Sequence, residues 1–318
     1  MHERILNCLK SKSEHVSGEE LSSLLKVSRQ ALWKHIQQLK DAGYDIVAVP
    51  HLGYRLVNSP DRLLPFEITH ELRTKFIARK IHYFDTVSST MDSAEELGIK
   101  GAPEGTVVIS ESQTKGRGRL ARSWHSPKYK GIYLSLILRP KILPGATPVL
   151  TLLCAVSICE AINIACGLEA KIKWPNDILL QHKKLGGILT ELNAEMDSTR
   201  FVIIGLGLNV NNDKNSLIPG ATSLKEHNKH QLNRIQLLQE ILRRIEANYL
   251  EFQEKGPSSI IQKWKAHNIT LGKRIKLTYH EEYLEGMAVD IDKDGGLLLR
   301  NDAGLTQKVT SGDIVHCR

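Results

Sequence analysis

The chain has 318 residues, 41% of them hydrophobic and 25% charged. That is length for roughly two or three domains, and the composition excludes collagen, a coiled coil and wholesale disorder. Lys and Arg number 43 against 35 acids, a formal charge of +8 that favours an anionic partner, nucleic acid or nucleotide, without choosing between them.

The N-terminus carries Glu3 among its first residues and leads into no long apolar core, so no secretory signal is expected. Ile5, Leu6 and Leu9 form one helical stripe. Leu21, Leu24 and Leu25 form a second, behind Ser17 or Gly18 as a cap. A third helix starts at the N-cap Ser28, buries Leu32, Ile36 and Leu39, and stops at Gly43. Only Lys26 and Val27 separate the second helix from the third, the spacing of a helix-turn-helix whose second helix presents its outer face to a DNA major groove. The candidate DNA-binding residues are Ser28, Arg29, Gln30, Trp33, Lys34 and Gln37. Strand patterns at 45–49 and 54–57 around the turn Pro50 to Gly53 complete a winged helix. The alternative is a small helical protein-interaction module. Residues 1–65 hold nine basic against seven acidic residues, so the helical pattern carries the assignment and the charge does not. Pro60 and Pro65 mark a linker.

Residues 66–270 mix strand patterns (106–110, 132–138, 201–208) with helical ones (149–166, 235–252), predicting an α+β domain around a mixed sheet. The apolar run 149–166 is interrupted by Thr151, Ser157, Glu160 and Asn163, so it reads as a buried helix and no membrane association is expected. Short strands at 274–279, 283–291 and 297–300 predict a small C-terminal β-barrel over 271–318. The five cysteines (Cys8, Cys154, Cys159, Cys166, Cys317) include no C-x-x-C pair, which points to a reducing cytosol and away from a zinc ribbon. His227 and His230 have no third ligand nearby in sequence and read as solvated.

Three segments carry chemistry. Between Glu111 and Lys130 six basic residues meet one acid, a net of +5, and Gly116, Arg117, Gly118 and Arg119 alternate so that backbone amides and guanidinium groups can surround a phosphate. The segment is neither a P-loop nor a G-x-G-x-x-G fingerprint. Mutual repulsion among its cations, with its glycines, predicts a mobile loop that an anion would order. A nucleic-acid-binding loop is the competing reading. Next, Lys173-Trp174-Pro175-Asn176-Asp177 precedes an apolar strand and Lys184-Leu185-Gly186-Gly187. Asp177 can organise Mg²⁺ on a polyphosphate and Lys184 can meet the same anion, or they are a turn former and a solvated lysine. Third, Gly205-Leu206-Gly207-Leu208-Asn209 puts two glycines in a buried strand, which suits close approach of a flat ring or simply relieves packing.

Taken together, Ser88-Ser89-Thr90-Met91, Gln113 with Gly116 to Arg119, Lys173 to Asp177, Lys184 to Leu189 and Gly205 to Asn209 closely resemble the biotin protein ligase family. With a winged helix in front and a small β-domain behind, the resemblance covers essentially the whole chain and points to the bifunctional bacterial form that also represses the biotin operon. It implies an N-terminal winged helix-turn-helix (1–60), a central mixed-sheet biotin/lipoate-ligase-like catalytic domain (66–270) and a C-terminal SH3-like β-barrel (271–318). It further implies a two-step reaction: biotin and ATP, with Mg²⁺, give biotinyl-5′-AMP and pyrophosphate, and the biotinyl group passes to a lysine of a biotin carboxyl carrier domain. The adenylate would act as corepressor, driving a homodimer onto operator DNA in the cytoplasm.

Residue by residue, the resemblance assigns Ser89, Thr90 and Gln113 to the ureido ring, with Met91, Gly116, and the backbone of Arg117 and Gly118 alongside. Arg119 and Arg122 would face phosphate, Lys184 would bridge the biotin carboxylate and α-phosphate, Asp177 would organise Mg²⁺, Asn209 would meet the nucleotide and Gly187 would admit the ring. Ala121 stands where many relatives have glycine. Trp124 either stacks on the ligand or anchors its loop, and 213–224 is a long connection that the resemblance places over the adenine. The alternatives are a lipoate-type ligase, a catalytically inactive biotin-sensing repressor, and a DNA-binding protein with an unrelated enzyme attached.

Overall fold

The computed structural model describes residues 1–195, 198–279 and 282–317, which divide into two compact units, Met1–Arg62 and Leu63–Arg318.

In the first unit, helices α1 (His2–Lys10), α2 (Gly18–Leu25) and α3 (Arg29–Asp41) precede an antiparallel hairpin, β1 (Asp45–Val49) with β2 (Gly53–Asn58). Ser17 caps α2 by accepting from the Glu20 N–H, and Ser28 caps α3 by accepting from the Ala31 N–H at 3.1 Å. Each cap is worth about 1 kcal/mol. Lys26 ends α2 in the left-handed region (φ 56°), turning the chain directly into α3. The apolar stripes bury Ile5, Leu6, Leu9, Leu21, Leu25, Leu32, Ile36 and Leu39. Leu24, expected inside, is 56% exposed, because the stripe of α2 follows the i, i+4 pair Leu21 and Leu25. Gly53 has φ +104°, and a Cβ there would lie 2.1 Å from the Val16 carbonyl oxygen; its glycine lets Tyr54 and Val16 exchange backbone hydrogen bonds and tie the hairpin to the segment before α2.

The second unit begins with α4 (Pro65–Thr69), β3 (Ile81–Phe84), α5 (Thr90–Ile99), β4 (Val107–Ser110), β5 (Gly131–Leu138) and α6 (Pro148–Cys166). There follow β6 (Lys171–Lys173), β7 (Asp177–Leu180), β8 (Lys183–Glu195), β9 (Ser198–Asn209), α7 (Leu224–Asn228), α8 (Arg234–Lys255) and α9 (Ser258–His267). The seven strands form one sheet in the order β3-β4-β5-β9-β8-β7-β6, parallel only between β3 and β4. Its main core joins β5, β8 and β9 to α6, α8 and α9, while α5 covers the other face with Met91 and Ala94 against Val108, Ile137, Phe201 and Ile203. Among the described residues α6 is the one helix apolar and long enough to cross a bilayer, yet Val149 to Ile162 are buried almost throughout and make it the central core helix.

Strands β10 (Arg274–Tyr279), β11 (Glu282–Ile291), β12 (Leu297–Arg300), β13 (Thr306–Val309) and β14 (Asp313–Cys317) pair antiparallel in the order β13-β12-β11-β10-β14. The expected barrel is therefore not closed: among the described residues its edge strands β13 and β14 do not pair. Four gaps of about 4.8 Å would separate those edges by roughly 19 Å in a flat sheet. Val309 and Asp313 are four steps apart in the chain, a reach of about 14 Å. The sheet is accordingly strongly curled. Its apolar residues Ile275, Leu277, Leu297 and Leu299 merge with the core of the seven-stranded sheet.

Candidate functional site

A cavity of about 330 Å³ opens over β8 and β9, walled by α5, the basic loop before β5, the β6–β7 turn and the start of β14. Thr90, Met91, Gln113, Arg117, Gly118, Arg119, Arg122, Asp177, Lys184 and Gly187 all line it, so the structure gathers most of the residues singled out in the sequence from four separate segments.

One end is neutral and polar. The Thr90 N–H and hydroxyl both donate to Gln113 Oε1 (2.9 and 3.1 Å), the Gln113 amide donates to Ser126 Oγ at 3.0 Å, and the buried Ser135 donates to the Thr90 hydroxyl at 2.9 Å. This end can hold a small ring with both donors and acceptors. The apolar floor beside it is Trp124 lying on β9. A Cβ at Gly207 would meet the indole at 2.4 Å, and one at Gly205 would meet Met91 Sδ at 2.5 Å, so the two strand glycines make room for these side chains. The Trp124 indole N–H is buried without a protein partner.

The other end is cationic. Lys184 Nζ lies 2.6 Å from Asp177 Oδ1 and 5.8 Å from the Trp124 ring centre. Arg119 donates to Asn176 Oδ1 and the Gly312 carbonyl (3.3 and 3.1 Å) and pairs with Asp313 at 3.6 Å, while the far more exposed Arg122 reaches the same carboxylate at 2.5 Å. Burial lowers the Arg119 pKa, and Asp313 and Asp177 oppose that shift. Three cations within one wall form a cradle for a polyanion.

Other expected residues fall behind this wall. Ser89 caps α5 by accepting from the Met91 N–H, Gly116 packs beneath Trp124, and the buried Asn209 donates to the Thr222 carbonyl; none of the three lines the cavity. Arg117 lines it but turns its guanidinium to Asp92 (2.6 Å) and Glu191 (3.2 Å). Burial raises the Glu191 pKa, against the pull of Arg117. Gly187 is loosely packed, since a Cβ there would make ordinary contacts with Trp124 and Lys184. In the first unit Arg29, Gln30, Trp33 and Lys34 are exposed on α3 and Gln37 is half-buried, while Ser28 spends its side chain on the cap and Arg29 pairs with Glu19 at 3.1 Å.

The expected self-repulsion of the basic loop is corrected. Arg117, Arg119, Arg122, Lys128 and Lys130 each meet a carboxylate from a distant segment, and Glu111 faces none of them. Glu111 is instead fully buried against Arg234 at 2.9 Å. Sequence reasoning missed Asp313, which has no local signal because it arrives from the far end of the chain. It also missed Ser135, whose signal was a single serine in the apolar strand β5.

Residues 83–209 match the Biotin/lipoate A/B protein ligase family, residues 2–55 an HTH domain and residues 270–317 the Biotin protein ligase C terminal domain. The chain is 42% identical over 306 residues to the Bifunctional ligase/repressor BirA of Bacillus spizizenii, covering 95% of this chain and 94% of that protein. It is 31% identical over 312 residues to the protein of the same name from Escherichia coli, covering 97% and 95%. A biotin protein ligase from Aquifex aeolicus, solved in complex with biotin and ATP, superposes with a TM-score of 0.63 at 31% identity, over 76% of this chain and 99% of that one. On identities above 30% along nearly its full length, the chain belongs to the family of bifunctional biotin ligase/repressors.

Proposed function

We propose that the chain is an ATP-dependent biotin protein ligase that makes biotinyl-5′-AMP in the cavity, transfers biotin to a lysine of a carboxyl carrier protein, and represses transcription through its N-terminal unit. The observation that carries this reading is the convergence, in one cavity, of the Thr90–Gln113 pair with Lys184, Arg119 and Arg122.

In the first step an oxygen of the biotin carboxylate bonds to the α-phosphorus of ATP, and the bond from that phosphorus to the bridging oxygen breaks, releasing pyrophosphate. In the second, a carrier lysine amine attacks the acyl carbon; the amide forms and AMP leaves. No enzyme nucleophile is needed. The obstacle is bringing two anions together, so catalysis is positioning plus fixed positive charge. Thr90 and Gln113 hold the ureido head over the floor made by Trp124, which leaves the carboxylate directed at Lys184. That lysine screens carboxylate from phosphate, with Asp177 holding its ammonium in place. Arg119, fixed by Asn176 and the Gly312 carbonyl, and the exposed Arg122 take up charge on the phosphates.

The donor set fits Mg²⁺ carried by the polyphosphate: Asp177 and Asp313 offer carboxylates at the cationic wall, and among the described residues no cluster of three or more His, Cys, Asp or Glu forms an all-protein cage. When bound, the metal would neutralise polyphosphate charge. Asn209 holds the segment after β9 through Thr222 and thereby shapes the nucleotide side. Ser89 acts through the start of α5, and Gly116 through the seat of Trp124.

The division 1–60, 66–270 and 271–318 assigns DNA recognition to the first part, ligation to the second and support of the cationic wall, through Asp313 and Gly312, to the third, a curled SH3-like sheet. The N-terminal unit reads operator DNA with α3 in the major groove, Arg29, Gln30, Trp33, Lys34 and Gln37 outward and Ser28 at the helix start, with β1–β2 as the wing. The adenylate-bound chain acts as a cytoplasmic homodimer, whose two recognition helices double the phosphate contacts.

Deleting residues 1–62 separates the two activities. The truncated chain is expected to biotinylate a carrier domain and to lose the retardation of DNA from upstream of the source organism's biotin-synthesis genes. Retained operator binding, or loss of both activities in a folded product, overturns the assignment.

A further inference from the structure

His2 opens α1, and His35 and Gln38 stand about one turn apart on α3, so three polar side chains of the first unit meet between these two helices. His2 Nε2 lies 3.0 Å from Gln38 Oε1, His35 Nδ1 lies 3.2 Å from the same oxygen, and the two ring nitrogens are 3.3 Å apart. His2 and Gln38 are exposed and His35 is half-buried. None of the three lines the ligase cavity, and none belongs to the face of α3 assigned to DNA.

Protons alone cannot satisfy this triangle. Each imidazole nitrogen either carries a hydrogen or offers a lone pair, and an amide oxygen only accepts. If both rings donate to Gln38, two N–H groups face each other across 3.3 Å. If one ring nitrogen is bare, its lone pair faces the amide oxygen at 3.0 or 3.2 Å. Turning the amide so that its NH₂ donates to both rings sets the two ring lone pairs against each other. A shared cation removes the conflict, because all three atoms then present lone pairs to it. The lengths are also those of a metal site. Ligands about 2.05 Å from one ion lie about 3.35 Å apart in tetrahedral geometry and about 2.9 Å apart in octahedral geometry. The three observed edges fall within that range. An ion about 2.05 Å from all three atoms stands roughly 0.9 Å out of their plane, which leaves its outer side to water. The rings aim at the same point. With each nitrogen about 1.15 Å from its ring centre, two imidazoles directed at such an ion would have centres about 5.15 Å apart at this nitrogen spacing. The centres of His2 and His35 are 5.1 Å apart.

We propose that His2, His35 and Gln38 form a binding site for a divalent transition-metal ion of the zinc class, with water completing its coordination. Two imidazole nitrogens and an amide oxygen suit zinc, nickel or copper and not the harder Mg²⁺ that a polyphosphate carries. The site lies within Met1–Arg62 and takes no part in the ligase reaction. Its effect falls on α1, whose N-cap residue Met1 makes no side-chain capping bond. An ion held by His2 on α1 and by His35 and Gln38 on α3 clamps that uncapped first turn to the helix assigned to DNA.

The experiment is a Zn²⁺ titration of the untagged full-length chain at pH 7.5, followed by NMR of the histidine ring protons and by calorimetry, beside His2→Ala, His35→Ala and Gln38→Glu. The ring signals of His2 and His35 are expected to shift together and to saturate at one equivalent. His2→Ala and His35→Ala should each weaken this event at least tenfold, since even the groups that merely support a metal ligand are worth about 10–100-fold in affinity. Gln38→Glu should tighten it about tenfold, because a carboxylate replaces a neutral oxygen. Amide hydrogen exchange in α1 should slow with Zn²⁺ in the wild type and not in His2→Ala. Circular dichroism checks that each variant is folded; if His35→Ala is not, His2→Ala at the exposed start of α1 and Gln38→Glu decide. No binding up to millimolar Zn²⁺ overturns the proposal. So does Zn²⁺ that shifts other histidines alone, that binds the alanine variants as tightly as the wild type, or that is indifferent to Gln38→Glu.

Discussion

Replacing Arg234 by Met removes the cation from a carboxylate that has no access to water. Glu111 and Arg234 are both 0% exposed and 2.9 Å apart; Glu111 also accepts from the Leu63 N–H at 2.6 Å, and Arg234 donates to the Gly131 carbonyl at 3.0 Å. One pair therefore ties together the two stems of the basic loop, the first residue of the second unit and the first residue of α8. Breaking a buried pair by deleting one partner costs about 3–5 kcal/mol, because the remaining charge is stranded. With no exposure there is no solvent screening to discount. At roughly 3 °C per kcal/mol for a unit of this size, Arg234→Met should lower the melting temperature of the ligase unit by about 12 °C. Calorimetry of the full chain gives the shift, and the double variant Glu111→Gln with Arg234→Met should recover most of it, since no buried charge then remains. The loss should also persist in high salt, unlike that of a surface pair. A loss under about 1 kcal/mol, or one abolished by salt, would refute the reasoning.

Three further outcomes are expected. Gly207→Ala pushes a methyl into the Trp124 indole, now 2.4 Å from the ideal Cβ position, and should raise KM for biotin about tenfold while leaving ATP binding intact; an unchanged biotin KM would mean that the indole does not form the ring floor. Lys184→Ala should slow adenylation on the order of 10²-fold, measured as pyrophosphate release, and near-normal turnover would shift the charge-stabilising role to Arg119 and Arg122. Burial pushes the Cys154 thiol up to about 12 from 9.0 and raises Cys159 as well, so iodoacetamide at pH 8 should modify the half-buried Cys8 in the native chain well before either. Because those folded-state values lie above the unfolded one, their contribution to stability is complete below about pH 9 and declines from there toward pH 12. Equal labelling of Cys154 and Cys8 in folded protein would contradict this.

Where a segment's pattern is local, it was legible in the sequence. The stripe Leu32, Ile36 and Leu39 behind Ser28 gave α3 with its cap, and the apolar run around Leu150 gave the central helix. The motifs also named most of the cavity wall, because a phosphate cradle and a ring site both require residue types that cluster along the chain. What escaped depends on contacts between distant segments. Asp313 holds two arginines from almost 200 residues away, and Glu111 turned out to serve the buried Arg234 instead of the basic loop beside it. Asn209, at the end of a glycine-bearing strand, donates to the Thr222 carbonyl, a contact that its local pattern does not announce. The open edge of the C-terminal sheet was equally out of reach, because closure depends on how far five short strands curl and not on where they begin.

The central claim is that this cavity joins biotin to AMP. Its most direct measurement is the exchange of labelled pyrophosphate into ATP, which reports reversal of the first step without a carrier protein. The wild-type chain with Mg²⁺ should exchange label when biotin is present and show only background with lipoate or with no acid added. A folded chain that shows no biotin-dependent exchange, or that exchanges equally well with lipoate, contradicts the account.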